Sequence, residues 1–313
     1  MISESTNKAQ KRFWIELRVE TPPELSDAII AFLVSELHRG VIVEEIQGDN
    51  NQQSEKLLIK AYLNEEDIDS GAMKGIDTYF YELIELHSEY PQIRWDIQHI
   101  VEEDWAQGWK KYFKPIKIGN SLVIKPSWET YVPGEDEIVI EIDPGQAFGV
   151  GTHASTRVIL EMLEEIARDK ELKDSSVLDI GTGTGILAIS AAKLGALDVT
   201  AIDIDQDAVE AARENVHLNN VHSAVSVSNT PLWEVEGPFD LVLANLDRDT
   251  LLFFSREISR LVAPGGILLA AGIIQGQEHD VIKSFSENGL CFLAIKQDEI
   301  EPEWLVIKLS KNN

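Results

Sequence analysis

Residues 12–20 (RFWIELRVE) alternate between apolar and polar side chains at a period near two, which predicts a half-buried strand. Pro22 and Pro23 then open a segment in which Ala28, Ile29, Phe32, Leu33 and Leu37 recur at helical spacing. His38, Arg39 and Gly40 suit the end of that helix. Two more strands are expected over 41–47 and 56–64, then a helix over 67–88 and a strand over 93–100. The order β-α-β-β-α-β matches a ferredoxin-like α+β domain, an antiparallel sheet with two helices on one face. Residues 1–100 are read as that smaller domain. The layout has no chemistry of its own, so it serves either recognition or structure alone.

The remaining residues, 101–313, read differently. Trp105, Trp109 and Tyr112 fall on one side of a helix, a stripe expected to be core. Short strands follow at 122–124 and 138–142. After Asp143 the rhythm becomes strand (177–180), glycine loop, helix (186–194), strand (199–202), helix (206–218) and strand (239–244). A helix over 250–262, a turn at Pro264-Gly265-Gly266, a strand over 267–271, a helix over 277–288 and two strands that pair antiparallel complete the pattern. Buried strands alternating with helices predict an α/β fold, a doubly wound, Rossmann-like parallel sheet.

Composition narrows the setting. The 313 residues are 44% hydrophobic and 26% charged, the balance of a packed globular protein. The longest stretch free of polar side chains, 261–274, is interrupted by Pro264 and three glycines and falls short of the roughly 20 residues of a membrane span. No secretory signal is visible, and a cytoplasmic protein with no membrane association is expected. The single cysteine, Cys291, excludes an internal disulfide framework and thiol-cluster metal sites; within an apolar strand it reads as core. With 54 acidic and 27 basic residues the net charge is −27, and no basic stripe offsets it. Direct nucleic-acid binding is therefore not expected, because phosphate contacts draw on clustered Lys and Arg. The acidity fits a basic protein partner, or solubility alone.

The strongest chemical signal is Val177-Leu178-Asp179-Ile180-Gly181-Thr182-Gly183-Thr184-Gly185. Glycines at the end of the first parallel strand let a ligand approach the backbone where helix N–H groups point outward. The third glycine comes one residue too early for a dinucleotide fingerprint, and the phosphate loop of NTPases is absent. Asp179, just before the loop, suits a ligand bearing amino and sulfonium charge, with Gly181 and Gly183 lining it. Asp203 ends the second strand, where a carboxylate can accept from ribose hydroxyls. Asp205 reads as a helix N-cap. Asn245 ends the third strand, where its amide can reach a ligand in the crevice. No metal site is expected: the histidines lack an H-E-x-x-H pattern or clustering. No G-x-S-x-G elbow supports serine hydrolysis.

The stretch Asp143-Pro144-Gly145-Gln146-Ala147-Phe148-Gly149-Val150-Gly151-Thr152-His153-Ala154-Ser155-Thr156 resembles the D-P-G-x-A-F-G-T-G-T-H-P-T-T loop of the ribosomal protein L11 methyltransferases (PrmA). The likeness continues in Glu103-Asp104-Trp105, Phe113-Lys114-Pro115, Pro126-Ser127-Trp128, the glycine loop, Asp203-Ile204-Asp205, Ala271-Gly272-Ile273 and Glu303-Trp304. The resemblance implies a class I methyltransferase domain with a substrate-recognition domain in front of it. It implies S-adenosylmethionine as cofactor, with contacts from Thr156, Gly181, Asp203 and Asn245 and a movable Phe148. It also implies methyl transfer to lysine ε-amines, and to the N-terminal α-amine, of ribosomal protein L11. Asn245, at its strand end, is expected to orient the amine. A monomer is expected, with hinge motion near 100–104. Asn245-Leu246-Asp247-Arg248 departs from the family's N-I-L-A, and such a charged pair bears on which amine is presented. The alternatives are another protein or small amine as acceptor, a non-catalytic S-adenosylmethionine-binding protein and, further off, a dehydrogenase. His153 is the one loop residue that could act as a base, against a structural hydrogen-bonding role.

Overall fold

Alternation in the first segment builds β1 (Phe13–Thr21), which buries Ile15, Leu17 and Val19. In this computed structural model the described residues are 13–37, 41–46, 56–63, 72–86, 93–101, 113–143, 153–169, 172 and 175–312. The chain divides into two compact units, Met1–Tyr112 and Phe113–Asn313.

In the first unit β1 is followed by α1 (Pro23–Leu37), β2 (Ile42–Ile46), β3 (Lys56–Leu63), α2 (Ala72–Leu86) and β4 (Arg94–Val101). The sheet runs β2-β3-β1-β4 with every pair antiparallel, the ferredoxin-like order. Ile29 and Leu33 of α1 and Ile76 and Phe80 of α2 pack on Leu17, Val19, Ile59 and Ala61. The alternate strand residues carry polar cross-strand pairs, with Tyr62 Oη donating to Glu16 and Lys60 Nζ to Glu44, both at 2.8 Å.

The second unit opens with a three-stranded sheet, β5 (Ile116–Ile118), β6 (Leu122–Lys125) and β7 (Ile138–Glu141). Then come α3 (Ala154–Arg168), β8 (Ser176–Ile180), α4 (Ile186–Lys193), β9 (Asp198–Ile202), α5 (Gln206–Leu218), β10 (Val225–Ser228) and β11 (Phe239–Asn245). The chain ends with α6 (Arg248–Phe253), α7 (Ser255–Leu261), β12 (Val262–Ile274), α8 (Glu278–Glu287), β13 (Leu290–Gln297) and β14 (Trp304–Lys311). The seven-stranded sheet has the order β10-β9-β8-β11-β12-β14-β13. Its first five strands are parallel, and β14 is antiparallel to both neighbours, as expected for the closing pair.

Each face of this sheet has its own core. Leu241 and Leu243 point to the face covered by α3 and α4, while Val242 and Ala244 point to the face covered by α6, α7 and α8. Polar residues inside these layers are therefore placed by a period of two along the strand.

Several boundaries differ from the sequence reading. Helix α3 was not anticipated, although Val158, Ile159, Met162, Leu163 and Ile166 form its buried stripe. The short β10 carries two serines in four residues and was also missed. The helix expected over 250–262 breaks at Phe254, which ends α6 and begins α7; Leu251, Leu252 and Phe254 all reach one core. Pro264-Gly265-Gly266 loops out within β12, where the pairing jumps from Phe239↔Val262 to Leu241↔Ile267. Cys291 is exposed, not core, because β13 is the edge strand of the sheet. The aromatic stripe 105–112, the segment 144–152 with Phe148, and most of the expected hinge lie outside the described residues.

Candidate functional site

In an open α/β sheet, ligands bind where neighbouring crossovers leave in opposite directions. Here the chain moves outward from β8 through β9 to β10, then returns to β11 on the other side of β8. The carboxyl ends of β9, β8 and β11 are thus side by side, and they carry Asp203, the glycine loop and Asn245.

The loop needs its glycines. Gly181, Gly183 and Gly185 have φ of 70°, 53° and 83°, the left-handed region that residues with a Cβ avoid. Gly181 and Thr182 donate their N–H groups to Ile202 O at 2.9 and 3.0 Å, tying the loop to the end of β9. A Cβ on Gly185 would lie 3.2 Å from Ala212 Cβ, so α5 backs the loop closely.

Two carboxylates flank the loop and differ in environment. Asp203 is half-buried; one oxygen accepts from Gly183 N–H at 2.9 Å and the other from Asp205 N–H at 3.0 Å. A carboxylate has about four lone-pair sites, so both oxygens retain capacity for a diol. Asp205 itself caps α5 through Asp207 N–H, the N-cap role read from the sequence. Asp179 is fully buried: Oδ2 accepts from Thr182 Oγ1 at 2.6 Å and Ala188 N–H at 3.2 Å, and Oδ1 has no partner. Burial pushes its pKa up, the two hydrogen bonds pull it back, and the charge of Asp203 raises it again, to about 6. An orphaned buried acceptor beside a second carboxylate fits a ligand that brings positive charge and a ribose, as S-adenosylmethionine does.

The third edge of the crevice joins residues far apart in sequence. Asn245 Nδ2 donates to Thr156 Oγ1 at 3.3 Å, bringing the end of β11 to the start of α3. Thr156 is buried, and its neighbour Arg157 is bound in two places. Arg157 Nε and Nη2 donate to Asp298 at 3.0 and 2.8 Å, and Nη2 also reaches Glu301 at 2.8 Å. Burial would raise the Asp298 pKa, but the bonds from Arg157 and from the Glu301 and Ile300 N–H groups outweigh it and hold the group below the usual range. His153 caps α3, its Nδ1 accepting from Ser155 N–H at 3.3 Å, and its ring meets Trp304 edge-on at 4.4 Å. Burial lowers the His153 pKa, which keeps the imidazole neutral as the cap requires. The structural role of His153 is therefore the one seen.

Two features escaped the sequence reading. Gly272 has φ 85°, and a Cβ there would sit 2.3 Å from Leu246 O; β12 thus presses directly on the residue after Asn245. Asn215 and Asn219 are buried on α5 and bond to backbone groups at the end of β7; the N-x-x-x-N spacing was the available signal. The Asp247-Arg248 departure has a local account. Asp247 caps α6 through Asp249 and Thr250 N–H, both at 3.0 Å, and Arg248 pairs with Asp249 and Asp280. Among the described residues no His, Cys, Asp and Glu cluster could hold a metal ion, and no helix is long and apolar enough to cross a membrane.

Residues 13–312 match the family described as ribosomal protein L11 methyltransferase (PrmA). The chain is 39% identical over 307 residues to ribosomal protein L11 methyltransferase of Geotalea uraniireducens, covering 94% of this chain and 96% of that one. It is also 39% identical over 311 residues to the protein of that name from Geotalea daltonii, covering 95% and 97%. A crystal structure of ribosomal protein L11 methylase from Lactobacillus delbrueckii subsp. bulgaricus superposes with a TM-score of 0.57 at 32% identity, covering 64% of this chain and all of that one. With its sheet order, its glycine loop and its relatives in agreement, the chain belongs to the ribosomal protein L11 methyltransferase (PrmA) family.

Proposed function

We infer that this protein is an S-adenosylmethionine-dependent methyltransferase that modifies lysine ε-amines of ribosomal protein L11. The observation that carries the reading is the meeting of Asn245, Thr156, the glycine loop and Asp203 at the carboxyl ends of three adjacent strands.

When bound, S-adenosylmethionine supplies a methyl group activated by its sulfonium sulfur. The chain's own residues bind and align. Asp203 offers lone pairs to ribose hydroxyls, held in place by Gly183 and Asp205 N–H. Asp179 and the positive-φ loop provide negative potential and close backbone approach for Gly181 and Gly183. Asn245 directs Nδ2 to Thr156 and so presents Oδ1 as an acceptor for an amine N–H. Proximity and alignment account for most of the catalysis in such a displacement. A lysine ε-amine, with an ordinary pKa of about 10.4, must first lose its proton. His153, the one base candidate in the loop, uses its Nδ1 to cap α3. The proton leaves to water before the amine is desolvated.

The first unit, with its ferredoxin-like sheet, serves as the recognition domain, and the net charge of −27 favours a basic protein over a nucleic acid. The enzyme acts as a monomer in the cytoplasm, and Phe148 joins the cofactor contacts. Transfer to the N-terminal α-amine belongs to the same reading. The test is intact-mass spectrometry of purified ribosomal protein L11 after incubation with the enzyme and S-adenosylmethionine, beside Asn245→Ala. Methyl-sized mass gains that disappear in the variant are expected. No gain by wild type that still binds the cofactor would overturn the choice of acceptor.

A further inference from the structure

The open edge of β7 is filled by side chains. Ile142 N–H bonds to Lys125 O of β6 at 2.8 Å, while Glu141 and Asp143 turn their backbone groups the other way, toward α5. There Asn219 Oδ1 accepts from Glu141 N–H at 2.9 Å and its Nδ2 donates to Glu141 O at 2.6 Å. One helical turn earlier, Asn215 Oδ1 accepts from Asp143 N–H at 2.9 Å and its Nδ2 donates to Asp143 O at 3.0 Å. Four residues of helix advance about 6 Å and two residues of strand about 6.6 Å, so two amides at i and i+4 imitate a neighbouring strand.

The two asparagines differ in their remaining donor. Asn219 returns it to its own helix, at Asn215 O, 2.9 Å away. Asn215 gives it to Thr184 O, also at 2.9 Å, inside the glycine loop. Thr184 stands between Gly183 and Gly185, both at positive φ, and the Gly183 N–H holds Asp203. Ala212, one turn before Asn215, is the residue that closely backs Gly185. Asn215 is almost fully buried, with both donors and its oxygen engaged.

We propose that Asn215 is a positioning residue for the cofactor site: its amide holds the Thr184 peptide, and through the adjacent Gly183 N–H the Asp203 carboxylate, in register with Asp143. This rests on the S-adenosylmethionine reading above. Asn219 supplies a matched control, with the same pair of backbone bonds, made to Glu141 instead of Asp143, and none to the loop.

The experiment compares Asn215→Ala and Asn219→Ala with wild type for thermal stability, S-adenosylhomocysteine binding by calorimetry, and KM for each substrate. Both variants lose stability to a similar degree. Asn215→Ala weakens S-adenosylhomocysteine roughly tenfold and raises KM for S-adenosylmethionine in parallel, with KM for the protein substrate unchanged. Asn219→Ala stays within about twofold of wild type in cofactor affinity. Equal cofactor affinities in the two variants would overturn the proposal. If wild type itself bound no S-adenosylhomocysteine, the cofactor reading would fail instead. Should Asn215→Ala not fold, wild-type protein labelled with ¹⁵N-asparagine decides. The Asn215 side-chain amide signals shift on saturation with S-adenosylhomocysteine while those of Asn219 do not, and an unmoved Asn215 refutes the role.

Discussion

Replacing Asp179 by Asn should stabilise the cofactor-free protein above pH 6 and weaken cofactor binding at the same time. The Asp179 carboxyl is wholly buried, its Oδ1 has no partner, and its pKa stands at about 6 against an ordinary 3.8. A difference of roughly two units corresponds to about 3 kcal/mol. Between these two values the folded protein keeps a proton that the unfolded chain has lost. The stabilising contribution is therefore complete below pH 3.8 and is lost as pH rises through about 6, after which it stays flat. Asn cannot ionise and keeps an oxygen for Thr182 and Ala188, so the variant lacks this loss. Relative to Asp179→Asn, wild type should fall by about 2.5 kcal/mol between pH 4 and pH 8, or about 5–10 °C in Tm for a domain of this size. Urea unfolding of both proteins at pH 4, 5, 6 and 8, followed by tryptophan fluorescence, reads the difference. A gap that stays constant over this range, or moves the other way, refutes the assignment. Positive charge arriving with S-adenosylmethionine should also drive the group toward ionisation. Calorimetry at pH 6 in buffers of different ionisation enthalpy should show release of up to about half a proton in wild type and none in Asp179→Asn.

Arg157→Ala should cost about 3 kcal/mol, because it strands the buried Asp298 carboxylate. A double-mutant cycle with Asp298→Asn should give a coupling above about 1 kcal/mol, and additive effects would contradict the clamp. Gly272→Ala should lower both stability and methyl transfer, since its Cβ would meet the Leu246 carbonyl at 2.3 Å beside Asn245. Gly276→Ala, with open space around the Cβ at φ 95°, should incur only the backbone strain; matching activity loss in both would rule out the contact as the cause. The exposed Cys291 should react fully with a thiol reagent in the native protein and leave methyl transfer intact. A thiol reactive only in denaturant would place it in the core after all.

Much of the framework is legible along the chain because its signals are local. Period two marks β1 and period 3.6 marks α1, whose inner faces can be named from spacing alone. Helix α5 has the expected bounds because Asp205 caps it within two residues of its own position. The glycines of the loop are required by backbone angles, and such a demand is written into residue type. The D-P-G run added the family, which short spacing signals could not. In the other direction, the charged Glu161, Glu164 and Glu165 interrupt the stripe of α3, yet they face the turn at Ser121 and the side chain of Lys296, and the helix stands.

The sequence by itself determined most of the elements, the glycine loop, the acids at two strand ends and the family. Each follows from interactions reaching a few residues, or from a motif read whole. Only the tertiary structure decided which of these meet. Asn245 lies 89 residues from Thr156 and Arg157 lies 141 from Asp298, and no periodicity encodes such distances. The order of strands in the sheet settles them, and with them the exposure of Cys291 on the edge strand β13. The environment of Asp179 was settled in the same way. A carboxyl acquires a raised pKa from the absence of water and the nearness of Asp203, and both arise only when β8, β9 and α4 close around it.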